Sequence, residues 1–161
     1  MCGTLMFEKT GLTGFTGLDL GQDHALTEKV IGLGMKVHRV LGPGFLESVY
    51  RNAFAFELRG AGLSVEIDKH ITVRYGDVVV GNFVADLVVN ENLLCELKAN
   101  STLTKADEVQ LVNYLTATNH DVGLLLNFGS PSLQFKRKHR CPIIDPSSID
   151  LRNPINPVNP V

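Results

Sequence analysis

Asp86 and Glu96 are separated by nine residues, and Lys98 follows two positions later, all within an apolar, β-prone stretch. If 90–92 form a three-residue turn, Asp86 lies opposite Glu96 and Val84 opposite Lys98 across a hairpin. Side chains alternate along a strand, so Asp86, Glu96 and Lys98 share one face. Directly opposed Cβ atoms in such a pair sit about 4.5–5.5 Å apart. Two carboxylates at that spacing repel unless a cation lies between them, and oxygen donors suit Mg²⁺ or Mn²⁺. An ammonium beside a metal-bound water can orient it and stabilise the hydroxide that attacks phosphorus. The same residues also fit a plainer arrangement, a solvated strand face with an ordinary salt bridge. The short spacing by itself does not separate the two.

The elements that must position these residues follow from periodicity and turn chemistry. Apolar Leu26, Val30, Leu33, Val37 and Val40 recur at helical spacing over 23–41, with Gly32 and Gly34 on the same helix as points of close packing. Gly42-Pro43-Gly44 breaks the chain, and a second helix over 46–59 carries Leu46, Tyr50, Phe54 and Leu58 on one stripe before Gly60 and Gly62 stop it. Alternation at 65–67 and 71–73, a turn at Gly76-Asp77 and a long strand over 78–89 lead to the return strand 93–98. Thr104, with Asp107 three residues on, opens a third helix to about 118 in the manner of a capping box. Strands over 123–128 and 133–138 close the pattern, giving an α/β chain with a mixed central β-sheet flanked by helices.

Composition limits the function classes. The chain has 161 residues, 44% hydrophobic and 20% charged, enough for one domain with a real core. No apolar run approaches the roughly 20 residues that span a bilayer, so no membrane partner is expected. The N-terminus lacks the basic-then-apolar pattern of a secretion signal. Cys2, Cys95 and Cys141 form no CxxC pair and no zinc spacing. An odd thiol count points to a reducing compartment, the cytoplasm. A formal charge of −2 and a pI near 6.2 argue weakly against a high-affinity non-specific nucleic-acid binder, although a carboxylate metal site lowers the charge by itself. Residues 1–22 read as a flexible arm, since Gly11, Gly14 and Gly17 lack the spacing and context of a phosphate loop. Residues 142–161 hold five of the seven prolines and read as an extended tail, leaving 23–141 as the domain.

Several longer motifs stand around the carboxylates: Leu41-Gly-Pro-Gly-Phe-Leu-Glu-Ser-Val-Tyr50, Ala85-Asp-Leu-Val-Val89, Cys95-Glu-Leu-Lys-Ala99 and Leu124-Leu-Leu-Asn-Phe-Gly129. Together they resemble the GxxExxY proteins, a bacterial branch of the PD-(D/E)XK nuclease superfamily, over roughly 25–140. The resemblance implies a restriction-endonuclease-like core. It makes Glu47 a helix-borne acid reaching the metal from the side, Asp86 the central metal ligand, Glu96 the second ligand and Lys98 the catalytic lysine. Gln110 and Tyr114 match the QxxxY pattern of RecB-type nucleases; one turn apart on a helix, they are candidates for substrate contact or for packing. Without the resemblance, Glu47 reads as a helix N-terminal charge and Tyr50 as core. His38 is a candidate ligand, general base or substrate contact, and a lone histidine there serves equally in packing or capping. Cys95 alternates away from Glu96 toward the other sheet face. Lys136-Arg-Lys-His-Arg140 reads either as a phosphate contact or as a charged edge strand.

These readings converge on a Mg²⁺- or Mn²⁺-dependent nuclease acting on nucleic acid, DNA before RNA, alone or as a homodimer or part of a larger DNA-processing assembly. Two alternatives remain. One is a catalytically silent nucleic-acid-binding or interaction subunit of a DNA-processing or defence assembly. The other is a metal-dependent nucleotide or small-phosphate hydrolase.

Overall fold

The computed structural model describes residues 20–75 and 77–140, with the side chains of 20–23 left aside. The helical periodicity of the first segment becomes α1 (Leu20–Leu41), one turn earlier than the spacing predicts, so residues 20–22 belong to the helix. The rest of the expected N-terminal arm, with its glycines, and the expected tail lie outside the described residues, as do Cys2 and Cys141. α2 spans Glu47–Gly60. The strands β1 (Val65–Tyr75), β2 (Val78–Val89) and β3 (Leu93–Lys98) follow, then α3 (Lys105–Thr118), β4 (Val122–Asn127) and β5 (Gln134–His139). The sheet order is β1-β2-β3-β4-β5, antiparallel except for the parallel pair β3–β4. This is the mixed sheet with flanking helices that the sequence predicts. Among the described residues no helix is long and apolar enough to cross a membrane.

The centre of the sheet is buried from both sides. Every residue of β4 is buried, as its unbroken Val-Gly-Leu-Leu-Leu run requires of a central strand covered on both faces. On one face Val30, Val37, Phe54 and Leu58 from α1 and α2 pack with Leu87, Cys95, Leu97, Leu124 and Leu126. On the other, Leu111 and Leu115 from α3 pack with Ala85, Val88, Leu94 and Leu125. Gly34 brings α1 onto this sheet, since a Cβ there would sit 3.2 Å from Leu126 Cδ2; Gly32 faces open space and plays no such part.

The α1–α2 loop is fixed by Tyr50. Its hydroxyl donates to the Gly42 carbonyl (2.7 Å) and accepts from the Phe45 amide (3.1 Å), while its ring stacks on Phe128 at 5.0 Å. Gly44 within that loop has φ +112°, a conformation essentially reserved for glycine. α2 then starts at Glu47 without a side-chain cap on Leu46. α3 starts with the predicted capping box, in which Thr104 Oγ1 accepts from the Asp107 amide and the Asp107 carboxylate accepts from the Thr104 amide.

Two departures matter for the site. β1 runs as one strand through both stretches of alternation, but Asp68 within it takes φ +54°. The β1–β2 register is the same on either side, Ile67↔Leu87 and Lys69↔Ala85, but the Asp68–Asp86 pair between them is missing. The β2–β3 ladder has the predicted register but ends at Leu87↔Cys95, so the expected pairing of Asp86 with Glu96 and of Val84 with Lys98 does not form. The cause is chemical: the Asp86 carboxylate accepts the Leu97 amide at 2.7 Å, and a side chain takes the place of the next ladder bond.

Candidate metal centre

Asp86 sits where β2 parts from β3 and where its pairing with β1 skips one position. With Oδ2 held by the Leu97 amide, Oδ1 is the oxygen without a hydrogen bond, and the Arg51 guanidinium from α2 lies 3.8 Å from it. On β3, Glu96 is only 4% exposed. Its Oε1 accepts from Lys98 Nζ (2.9 Å) and from Gln110 Nε2 (3.2 Å). Its Oε2 is buried without a hydrogen-bond partner. Lys98 Nζ also donates to Gln110 Oε1 at 3.3 Å, and Gln110 Nε2 reaches the Tyr114 hydroxyl at 2.6 Å. The Tyr114 ring stacks on Phe83 of β2 at 3.7 Å, closing the far side of this network.

The electrostatics follow from the crowding of acids in a half-buried place. Glu96 is pushed up to about 7, first by burial and then by the Asp86 charge, against the pull of Lys98. Asp86 is also raised, chiefly by burial, with the Leu97 amide, Lys98 and Arg51 holding it down in part. Glu47, at the first turn of α2, is raised by burial and by Asp86. Burial alone would push Lys98 down, but Glu96, Glu47 and Asp107 together hold it above its ordinary value, so it is an ammonium. These mutual influences put Glu47, Asp86, Glu96 and Lys98 in one electrostatic neighbourhood.

Among the described residues no group of three or more His, Cys, Asp or Glu side chains is drawn together as a metal cage. The donors nevertheless fit a hard divalent cation. They are carboxylate oxygens, and Glu96 Oε2 is a buried acceptor that lacks any donor, an arrangement that costs free energy until a cation or a donor meets it. Gln110 bonds both Glu96 and Lys98, and Tyr114 bonds Gln110 while its ring packs on Phe83.

His38 is elsewhere. It is buried, with Nε2 2.9 Å from the Ser130 carbonyl and its ring beside Phe128, and it lines a shallow cleft with Met35, Arg39, Pro43 and Leu133. Cys95 faces the α1–α2 side, away from Glu96, and burial pushes its thiol up. Of the basic run, Lys138 pairs with Glu108 and Arg140 with Asp121 (2.8 Å), so two of its charges are already answered within the chain.

Two charged residues that the spacing of the acids did not point to complete the neighbourhood. Arg51 lies one helical turn after Glu47, and its Nη1 donates to Asp68 Oδ1 at 2.6 Å. Helical spacing from Glu47 would have found Arg51. Asp68 carried no signal, because its place depends on a left-handed backbone inside a strand.

A family model described as the PD-(D/E)XK nuclease superfamily matches residues 24–138. No curated protein matches. Among solved structures, one titled "Crystal structure of SSO0001" matches with 19% identity and a TM-score of 0.41, over 76% of this chain and 56% of that one. The chain thus spans a little over half the length of that structure.

Proposed function

The chain belongs to the PD-(D/E)XK nuclease superfamily, and we propose that within it the chain is a divalent-metal-dependent nuclease that hydrolyses phosphodiester bonds, with DNA as the first substrate to try. Nucleases of this superfamily generally use divalent metals. We place the chain in the GxxExxY branch, on the strength of Gly44, Glu47 and Tyr50: the tyrosine pins the loop around the glycine and so presents the glutamate at the start of α2. The reading takes 23–141 as the catalytic domain.

The observation that carries it is the unpartnered Glu96 Oε2, buried beside a charged lysine. Glu96 Oε2 and Asp86 Oδ1 would hold Mg²⁺ or Mn²⁺, with Glu47 completing the set from α2. The ion supplies a nucleophilic water at neutral pH and charge stabilisation at phosphorus. Lys98, bonded to Glu96 and Gln110, has one ammonium proton beyond those two contacts with which to hold the attacking water or a phosphate oxygen. Gln110 fixes the lysine by accepting from it while donating to Glu96, and Tyr114 fixes Gln110. Tyr114 stacked on Phe83 closes off part of the wall and helps keep the acids partly dry.

The test is cleavage of single- and double-stranded DNA and RNA with Mg²⁺, Mn²⁺ or EDTA, wild type beside Asp86→Ala and Lys98→Ala. Metal-dependent cleavage lost in both variants supports the reading. Cleavage that persists in both counts against it as a contaminant. A second reading, a silent binding subunit, is favoured by the acids not being drawn into a cage. It expects nucleic-acid affinity that survives Lys98→Ala, with no turnover by any variant. Activity confined to mononucleotides would point instead to a small-phosphate hydrolase.

A further inference from the structure

Arg51 is a cation placed among acids that the proposed reaction does not use. Its guanidinium donates to Asp68 at 2.6 Å and lies 3.8 Å from Asp86 Oδ1, and its Nε is buried with no partner. Arg51 and Asp86 are 22% and 13% exposed, so that pair meets with limited screening, whereas Asp68 is 49% exposed and its pair with Arg51 is the more screened of the two. Asp86 Oδ2 is already committed to the Leu97 amide, which leaves Oδ1 as the oxygen facing both Arg51 and any incoming cation. Asp68 is held in place by an unusual backbone: its φ of +54° falls where the β1–β2 register passes over Asp68 and Asp86. The strand distortion turns the Asp68 carboxylate toward Arg51 on α2.

We propose that Arg51 is an internal counter-ion that competes with a divalent cation for Asp86, and that Asp68 is the tether that draws it off. When Asp68 holds the guanidinium, Asp86 Oδ1 is available; when that hold weakens, Arg51 moves onto Asp86 and the cation is disfavoured. Arg51 is thus a positioning residue that sets how much free metal the site needs. The inference rests on the metal site of the proposed function, but its test is metal affinity without nucleic acid, so the two can fail separately.

The experiment is Mn²⁺ titration of the full chain by calorimetry, with folding of each variant checked by circular dichroism. Arg51→Met should tighten Mn²⁺ binding by about tenfold, since it removes a like charge from beside the ligand. Arg51→Lys keeps the charge and should stay near wild type. Asp68→Asn should weaken binding while Arg51 is present and change it far less in the Arg51→Met background, the coupling that a double-mutant cycle isolates. Equal effects of Asp68→Asn in both backgrounds would make Asp68 an ordinary distant charge and overturn the tether. If Arg51→Met leaves affinity unchanged or weaker while Asp86→Ala abolishes binding, the competition is overturned and the metal site stands. If neither wild type nor Arg51→Met binds Mn²⁺, the metal site fails and the competition with it. Should Arg51→Met not fold, Asp68→Asn alone decides, with unchanged affinity overturning the proposal.

Discussion

On the face covered by α1 and α2, Tyr50, Phe54, Leu58, Leu97, Leu124, Leu126 and Phe128 are fully buried, and the Tyr50 hydroxyl, the polar side-chain group among them, is bonded to Gly42 and Phe45. On the face covered by α3, a smaller apolar set shares the sheet with Glu96, Lys98 and Gln110. The first face stabilises the fold through burial of apolar area and aromatic contact. The second carries a crowded set of acids whose charges are only partly compensated, so in the metal-free chain it weakens the structure that the first face holds together. The apolar scaffold thus lies mainly on one face and Glu96, Lys98 and Gln110 on the other, with Glu47 and Arg51 of α2 reaching toward Asp86 from the first side.

The largest expected effect tests the first face. Phe54→Ala removes a fully buried ring that packs near Phe128 and should destabilise the chain by about 3–5 kcal/mol in chemical unfolding. Mn²⁺ affinity of the folded fraction should be unchanged, and a loss of metal binding there would break the separation between faces. Next in size, Lys98→Ala should lower metal-dependent cleavage about 100- to 1,000-fold in protein whose folding is verified by circular dichroism. Cleavage near wild type from folded Lys98→Ala would instead assign Lys98 to the fold, as the counter-charge of Glu96.

The third concerns pH. A carboxyl whose folded pKa exceeds its unfolded one favours folding in its protonated form, a contribution that is whole below the ordinary 4.5 and is lost as pH rises through about 7. Glu96 behaves this way, and Glu47 and Asp86 shift in the same direction. Metal-free Glu96→Gln should therefore melt above wild type by a margin that grows between about pH 5 and pH 8. A constant margin would show that Glu96 is not strained by ionisation. The smallest effect is at the edge of the reactive face, where Thr104→Ala removes the α3 cap and should cost about 1 kcal/mol, read as a lower midpoint of chemical unfolding.

The order of elements, the hairpin register and the α3 cap could be read from the sequence because each depends on local spacing: alternation, turn length, and Thr104 three residues before Asp107. Strand ends shifted by a residue, with β4 over Val122–Asn127 and β5 over Gln134–His139, since periodicity does not say where a ladder stops. Tyr50 was legible as core but not as the side chain that pins the loop before Glu47, which needs the loop's own carbonyl and amide to be placed first. The convergence of Glu96, Lys98, Gln110 and Tyr114 was half legible: helical spacing put Gln110 and Tyr114 on one face, and only the parallel crossover brings that face over β3. Asp68 was hidden because a left-handed residue inside a strand follows from tertiary contacts, here with Arg51, rather than from its own sequence.

The parallel pairing of β3 with β4 has a kinetic consequence. Leu93 meets Val122 and Lys98 meets Asn127 across the long connection that contains α3. Beyond the strands, a Cβ on Gly129 would lie 2.4 Å from the Ala99 carbonyl carbon, so the two strand ends close with no room for a side chain. The β1–β2 hairpin and the α1–α2 pair can assemble from neighbours in the chain, whereas the β3–β4 pair waits for this longer loop closure, the kind of step that slows folding. A chain emerging in order therefore forms those two early units before Leu124, Leu126 and Phe128 arrive to complete the face against which Tyr50 and Phe54 pack.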